Sequence, residues 1–153
     1  MNREIKFRAL TKNNNVMVFG DLIFTPTKEH RIIWFELKGE MPLDVDYQYF
    51  DEIVQSSTIG QFTGLKDKNG VDIYEGDLIR SPIKSDWDKE NYSCFEVFFH
   101  DGDSHLDYNI GYTMCRMHNH GSVCGGHIPS FKPKTVSNMI VIGNIYQHPE
   151  LNK

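Results

Sequence analysis

Alternation with a period of two marks two segments of the chain, and short apolar runs broken by turn residues mark the others. From Glu4 to Leu10, Ile5, Phe7 and Ala9 fall on one side of an extended segment while Lys6 and Arg8 fall on the other, the pattern of a half-buried strand. A polar turn with three successive asparagines, Thr11 to Asn15, leads to two apolar pieces, Val16 to Phe19 and Leu22 to Phe24, separated by Gly20 and Asp21. These predict a meander of short strands. After Pro26, the run Arg31 to Leu37 has no clean period, and its Ile32, Ile33, Trp34 and Phe35 favour a strand. Leu43 to Val54 fits either a short strand or one helical turn.

Ile59 to Arg80, IGQFTGLKDKNGVDIYEGDLIR, is punctuated by Gly60, Gly64, Asn69-Gly70 and Gly76. Asn-Gly is a strong signal for a tight turn with positive φ, so Gln61 to Leu65 and Val71 to Tyr74 are expected to flank a turn. Gly76-Asp77 then leads into a strand from Leu78 to Ser81. Beyond Pro82 and a polar stretch, Tyr92 to His100 places Phe95, Val97 and Phe99 on one face, again a strand. Residues 101–134 are rich in Gly, His and Asp and poor in aliphatic side chains, which predicts a long hairpin or an elaborated loop. Ser137 to Tyr146 is almost continuous apolar β material and reads as the central strand, with Gly143 marking a bulge or a close backbone approach. No window shows a helical period of helical length.

Three blocks, REIKFRAL (Arg3 to Leu10), the Ile59 to Arg80 segment and VIGNIYQHPEL (Val141 to Leu151), together resemble the YopX family of small phage- and prophage-encoded proteins. The resemblance implies a mainly β protein, with self-association among the expectations, and supplies no catalytic residues. The shared words themselves read as structural: Asn69, Gly70, Gly76, Asp77 and Gly143 as turn, strand-entry and bulge positions. Taken together, the expectation is a single mainly β domain over 1–153, with an N-terminal β-meander (1–58) and an SH3-like barrel in the C-terminal two-thirds (59–151). The stretch Asp101 to His127 matches no shared block.

Composition narrows the function. The chain has 153 residues, ten Phe and seven Tyr, enough to build a core without covalent staples. A formal charge of −5 argues against general nucleic-acid binding, whose affinity comes from Lys and Arg displacing counterions. No apolar run approaches the roughly 20 residues of a membrane span, and the first residues lack a signal-like stretch. The expectation is a cytoplasmic location in a bacterial host, with no membrane partner. Three cysteines, Cys94, Cys115 and Cys124, form no disulfide framework and suit a reducing compartment.

The candidate chemistry is sparse. CRMHNHGSVCGGH places Cys115, His118, Cys124 and His127 as two Cys-x-x-His pairs around a five-residue connector, with His120 spare. Thiolate and imidazole are zinc's preferred ligands, so zinc is the one cofactor to consider, although the connector is short for both pairs to converge and a solvated loop is the plainer reading. His118-Asn119-His120 only spells a nuclease name. His100-Asp101-Gly102-Asp103-Ser104-His105 is first of all turn chemistry. Nucleophile-elbow, zinc-protease, phosphate-loop and dinucleotide motifs do not occur, so no catalytic residue is assigned and a non-enzymatic protein is expected. The acidic, aromatic stretch containing Asp44, Asp46, Tyr47, Tyr49, Asp51 and Glu52 is the candidate partner surface, because aromatic side chains bring contact area and carboxylates steer a basic partner. The leading reading is a phage-derived protein-interaction module binding a host or phage protein. A zinc-binding or nucleic-acid-acting protein using residues 115–127, and an acidic DNA mimic that inhibits a host protein, are the alternatives.

Overall fold

The structure, a computed structural model, describes residues 4–38, 46–84, 92–100, 111–118, 121–122 and 131–148. The chain divides into two compact units, Met1–Gln61 and Phe62–Lys153. Both are built from antiparallel β-sheet, and a four-residue segment, Pro133–Val136 (α1), is the one α-helix among the described residues. Among those residues no helix is long and apolar enough to cross a membrane.

The first unit contains β1 (Phe7–Leu10), β2 (Met17–Phe24), β3 (His30–Lys38), β4 (Asp46–Ile53) and the start of β5 (Gly60–Lys66). They lie in the order β4-β3-β2-β1-β5. In this unit one strand departs from the sequence reading and one open alternative is settled. β2 is one continuous strand across Gly20, and it changes partner there: Met17 to Gly20 pair with β1, while Asp21 to Phe24 pair with β3. A Cβ on Gly20 would lie 2.1 Å from the carbonyl oxygen of Ile33, so only glycine lets β3 come this close. The ambiguous Leu43 to Val54 stretch resolves as the strand β4, paired with β3 along its whole length from Arg31↔Ile53 to Lys38↔Asp46.

The sheet curls until the end of β4 returns to the end of β1, where Thr11 bridges Val54. Lys12 donates its N–H to the Ile53 carbonyl and Gln55 to that of Leu10, both at 2.9 Å. Inside the curl Ala9, Val18, Ile32 and Val54 form the core, with Phe7, Leu22, Trp34 and Ile59 packed against it. The Thr58 hydroxyl, buried in the 3-10 turn Ser56–Thr58, accepts from Leu10 N–H at 3.0 Å and donates to the Gln55 carbonyl at 2.8 Å, locking that turn onto β1. Arg8, expected on a solvent face, is buried, on a strand paired along both edges, by β2 and by Gly60-Gln61.

In the second unit the remainder of β5 forms a hairpin with β6 (Asp72–Tyr74), and β7 (Asp77–Lys84), β8 (Tyr92–His100), β9 (Gly111–His118), β10 (Gly121–Ser122) and β11 (Ile140–Asn144) form a five-stranded sheet in the order β10-β9-β8-β7-β11. Part of the stretch 101–134 is therefore regular: β9 pairs with β8 from Phe95↔Arg116 to His100↔Gly111. Ser137 to Tyr146 yields only β11, which lies at an edge of the sheet, and β8 is the middle strand. From β11, Val141 packs against the core of Ile73, Ile79, Phe95, Val97, Val136 and Met139. β7 runs past Pro82, with its register to β8 slipping between Arg80 and Lys84, where a residue without N–H is tolerated.

Among the described residues the sheet ends openly at β10 and β11, so the closed SH3-like barrel does not form. The β5–β6 hairpin instead lies over the sheet, contributing Ile73 and Leu65 to the core. Buried Asp67 fastens it: one carboxylate oxygen accepts from Asn69 N–H at 2.7 Å and Val71 N–H at 2.9 Å, and the other from Val141 N–H on β11 at 3.1 Å. Gly70 closes the hairpin at φ +82° and Gly76, at φ +81°, turns the chain into β7. Fully buried Asp77 accepts the Tyr74 N–H at 2.7 Å across that second turn. β11 slips register between Val141 and Gly143, a bulge.

Candidate functional site

β3 and β4 are longer than the sheet that supports them. β2 pairs with β3 only from His30 to Ile33, so residues 34–38 and 46–50 continue as a two-stranded arm. Matched lengths and dense aromatic content, with Trp34 opposite Phe50 and Phe35 opposite Tyr49, let the pair hold together with no third strand among the described residues. Register then sorts the side chains. Ile32 faces the core, and Trp34 follows it on the same face, stacked on its partner Phe50 with ring centroids 4.9 Å apart and planes 6° apart. The Trp34 indole N–H donates to Glu36 at 3.3 Å.

The opposite, outer face carries Phe35 against Tyr49 and Leu37 against Tyr47. These side chains are 59%, 53%, 67% and 63% exposed, and four such neighbours present roughly 400 Å² of mostly apolar surface, the size at which a patch on a soluble protein marks an interaction site. Toward the supported end the same face continues through Ile33↔Asp51 and Arg31↔Ile53. Arg31 Nε donates to Asp51 Oδ1 at 2.6 Å, with Glu29 3.8 Å from the same guanidinium. Hydrogen bonding to Asp51 pushes the Arg31 pKa further up. The apolar patch thus ends at a formed ion pair.

The partner surface expected from sequence is distributed as follows. Tyr47, Tyr49 and Asp51 share the outer face, whereas Glu52 lies opposite Ile32 on the inner one. Asp46 opens β4 opposite Lys38, and Asp44 lies outside the described residues. Phe35 and Leu37, which complete the patch, were missed because the run Arg31 to Leu37 was read only as strand material. Nothing in the sequence separates them from Ile33 and Trp34, because the run is apolar at nearly every position.

The proposed zinc ligands are divided. Cys115 and His118 are on β9, in register with Glu96 and Gly121 respectively, while Cys124 and His127 lie outside the described residues, as do Asp101 to His105. Among the described residues no three His, Cys, Asp or Glu side chains are grouped to hold a metal. Cys94, on β8, is half-buried; burial raises its thiol pKa and Arg80 partly opposes this, so the neutral thiol is favoured. A neutral thiol is a poor nucleophile. Glu96, two residues along the same face, is also raised by burial.

The crystal structure of protein EF1440 from Enterococcus faecalis is similar to this fold, with a TM-score of 0.57 and 25% identity over 99% of this chain and 100% of that one. A comparison with curated proteins finds no match. The YopX protein family model matches residues 6–153, a span that takes in both units and the β3–β4 arm. The chain belongs to the YopX family.

Proposed function

We propose that this YopX-family protein is an accessory of phage or prophage origin that works without catalysis, docking a host or phage protein on the outer face of the β3–β4 arm. The observation that carries the reading is the contiguous exposure of Phe35, Leu37, Tyr47 and Tyr49. A solvated strand face normally alternates apolar-in with polar-out, and this one is apolar on the side turned to water. Tyrosine and phenylalanine bring large area with few rotors to freeze, the composition of a binding surface. The face is supported from behind by the Trp34–Phe50 stack, so its shape is set before a partner arrives.

The test is capture of proteins from infected and uninfected bacterial cells, treated with nuclease, by the wild-type chain and by a Phe35→Ser, Leu37→Ser, Tyr47→Ser, Tyr49→Ser variant. Specific proteins held by the wild type and lost by the variant support docking on the arm. An identical set with both proteins sinks it.

A further inference from the structure

Among the described residues β4 is the outermost strand of its sheet, and its hydrogen-bonding groups divide by parity. Val54 donates its N–H to the His30 carbonyl at 2.9 Å, which fixes 30/54 as a pair that exchanges hydrogen bonds. Stepping by two, Glu52, Phe50 and Gln48 turn their N–H and C=O inward to β3, while Tyr47, Tyr49, Asp51 and Ile53 turn theirs outward. At the Ile53 end the outward row is in use, its carbonyl accepting from Lys12. Among the described residues no strand pairs with the outward groups of Tyr47, Tyr49 and Asp51. An open edge of this kind is a template for an added strand unless charge or shape blocks it.

Charge decides what can add. β4 reads DYQYFDEI, with Asp46, Asp51 and Glu52 and no Lys or Arg; Asp51 is held by Arg31, which leaves Asp46 and Glu52 as the carboxylates whose charge an added strand meets. A second copy pairing in the antiparallel register that uses all three outward residues would set Tyr49 against Tyr49, Tyr47 against Asp51, and Asp46 against Glu52 at both ends. Like charges directly opposite are destabilising. A foreign segment carrying Lys or Arg reverses that sign.

We propose that the β4 edge takes an extended, basic segment of another protein as an added strand. Tyr47, Tyr49 and Asp51 supply the main-chain ladder, and the apolar outer face continues onto alternate apolar side chains of the incoming strand. This rests on the reading of the arm as the docking face and adds the geometry and chemistry of the partner.

The test uses a labelled peptide of about ten residues alternating lysine and valine, and a glutamate–valine counterpart, in fluorescence anisotropy with the full chain. The lysine peptide should bind at least about tenfold tighter than the glutamate one and weaken as salt rises. Tyr49→Pro removes an outward N–H and no bond to β3, so it should fold and bind at least about tenfold more weakly than Tyr49→Ala. Tyr47→Pro is a second block of the same edge. Equal binding by the proline and alanine variants, no preference for lysine, or no peptide binding would each overturn strand addition. So would a concentration-dependent dimer that Tyr49→Pro disperses, since a second copy would then own the edge. A cellular partner retained by Tyr49→Pro but lost on the four-serine variant would leave the docking face standing and remove only the strand-addition proposal.

Discussion

Phe35 and Tyr49 are register partners whose ring centroids lie 5.4 Å apart at 55°, both more than half exposed on the outer face of the arm. Ile32, three residues earlier on the same strand, is completely buried. One strand therefore carries side chains of opposite purpose. Phe35→Ser with Tyr49→Ser should lower stability by about 1 kcal/mol or less, the size of an exposed cross-strand pair. Ile32→Ala should cost about 3 kcal/mol through lost burial and a residual cavity. Urea unfolding of the two variants measures both; comparable losses would mean that the outer face is structural.

Gly20 and Gly70 differ in why they are glycine. At Gly20 an added methyl meets the Ile33 carbonyl at 2.1 Å, backbone that cannot step aside. At Gly70 nothing lies within 4 Å, and the obstacle is φ of +82°. Gly20→Ala should cost at least about 2 kcal/mol by forcing β2 and β3 apart. Gly70→Ala should cost about 1 kcal/mol, the left-handed penalty of an L-residue. Thermal unfolding ranks the pair, and the opposite order would refute the steric account.

Much of the fold was legible because it is local. Alternation placed the segments that became β1 and β8, since a period of two needs only neighbouring residues, while turn residues placed β5 and β6 and β-propensity placed β3. The continuity of β2 through Gly20 was not, because it depends on β3 taking over from β1 as partner, a relationship between distant segments. Phe35 and Leu37 were hidden for a similar reason. The run containing them is apolar at nearly every position, and which half reaches water is decided by where β2 stops pairing, at Ile33. Tyr47, Tyr49 and Asp51 stood out as an aromatic, acidic stretch, but the Arg31 that binds Asp51 lies twenty residues away.

Asp67 also looks like an ordinary turn residue until its second oxygen is followed to Val141, 74 positions away. Its carboxylate accepts three backbone N–H groups in a buried site. Asp67→Ala would leave those donors without their acceptor, a loss of about 3 kcal/mol or more. Asp67→Asn keeps one accepting oxygen but turns an amide N–H₂ toward one of the donors, and should lose about 1–2 kcal/mol. Denaturant midpoints at unchanged slope give the comparison. Near-equal stability of wild type and Asp67→Ala would show that the tie between hairpin and β11 is dispensable.

Glu96 provides a test of stability against pH. Burial on β8 raises its pKa above the ordinary 4.5, so between that value and the raised one the native state holds more of this proton than the unfolded chain. With more protons bound in the native state, unfolding free energy falls as pH rises through that window. The charged carboxylate is then a destabilising group at neutral pH, while below about pH 4 it is protonated in both states and costs nothing. Glu96→Gln removes the charge and nearly preserves the shape. Its melting temperature should exceed that of the wild type at pH 7, and the difference should shrink toward zero as the pH is lowered to about 4. A constant difference across that range, or a variant less stable at pH 7, would mean that the carboxylate is held by compensating partners and that burial does not govern its titration.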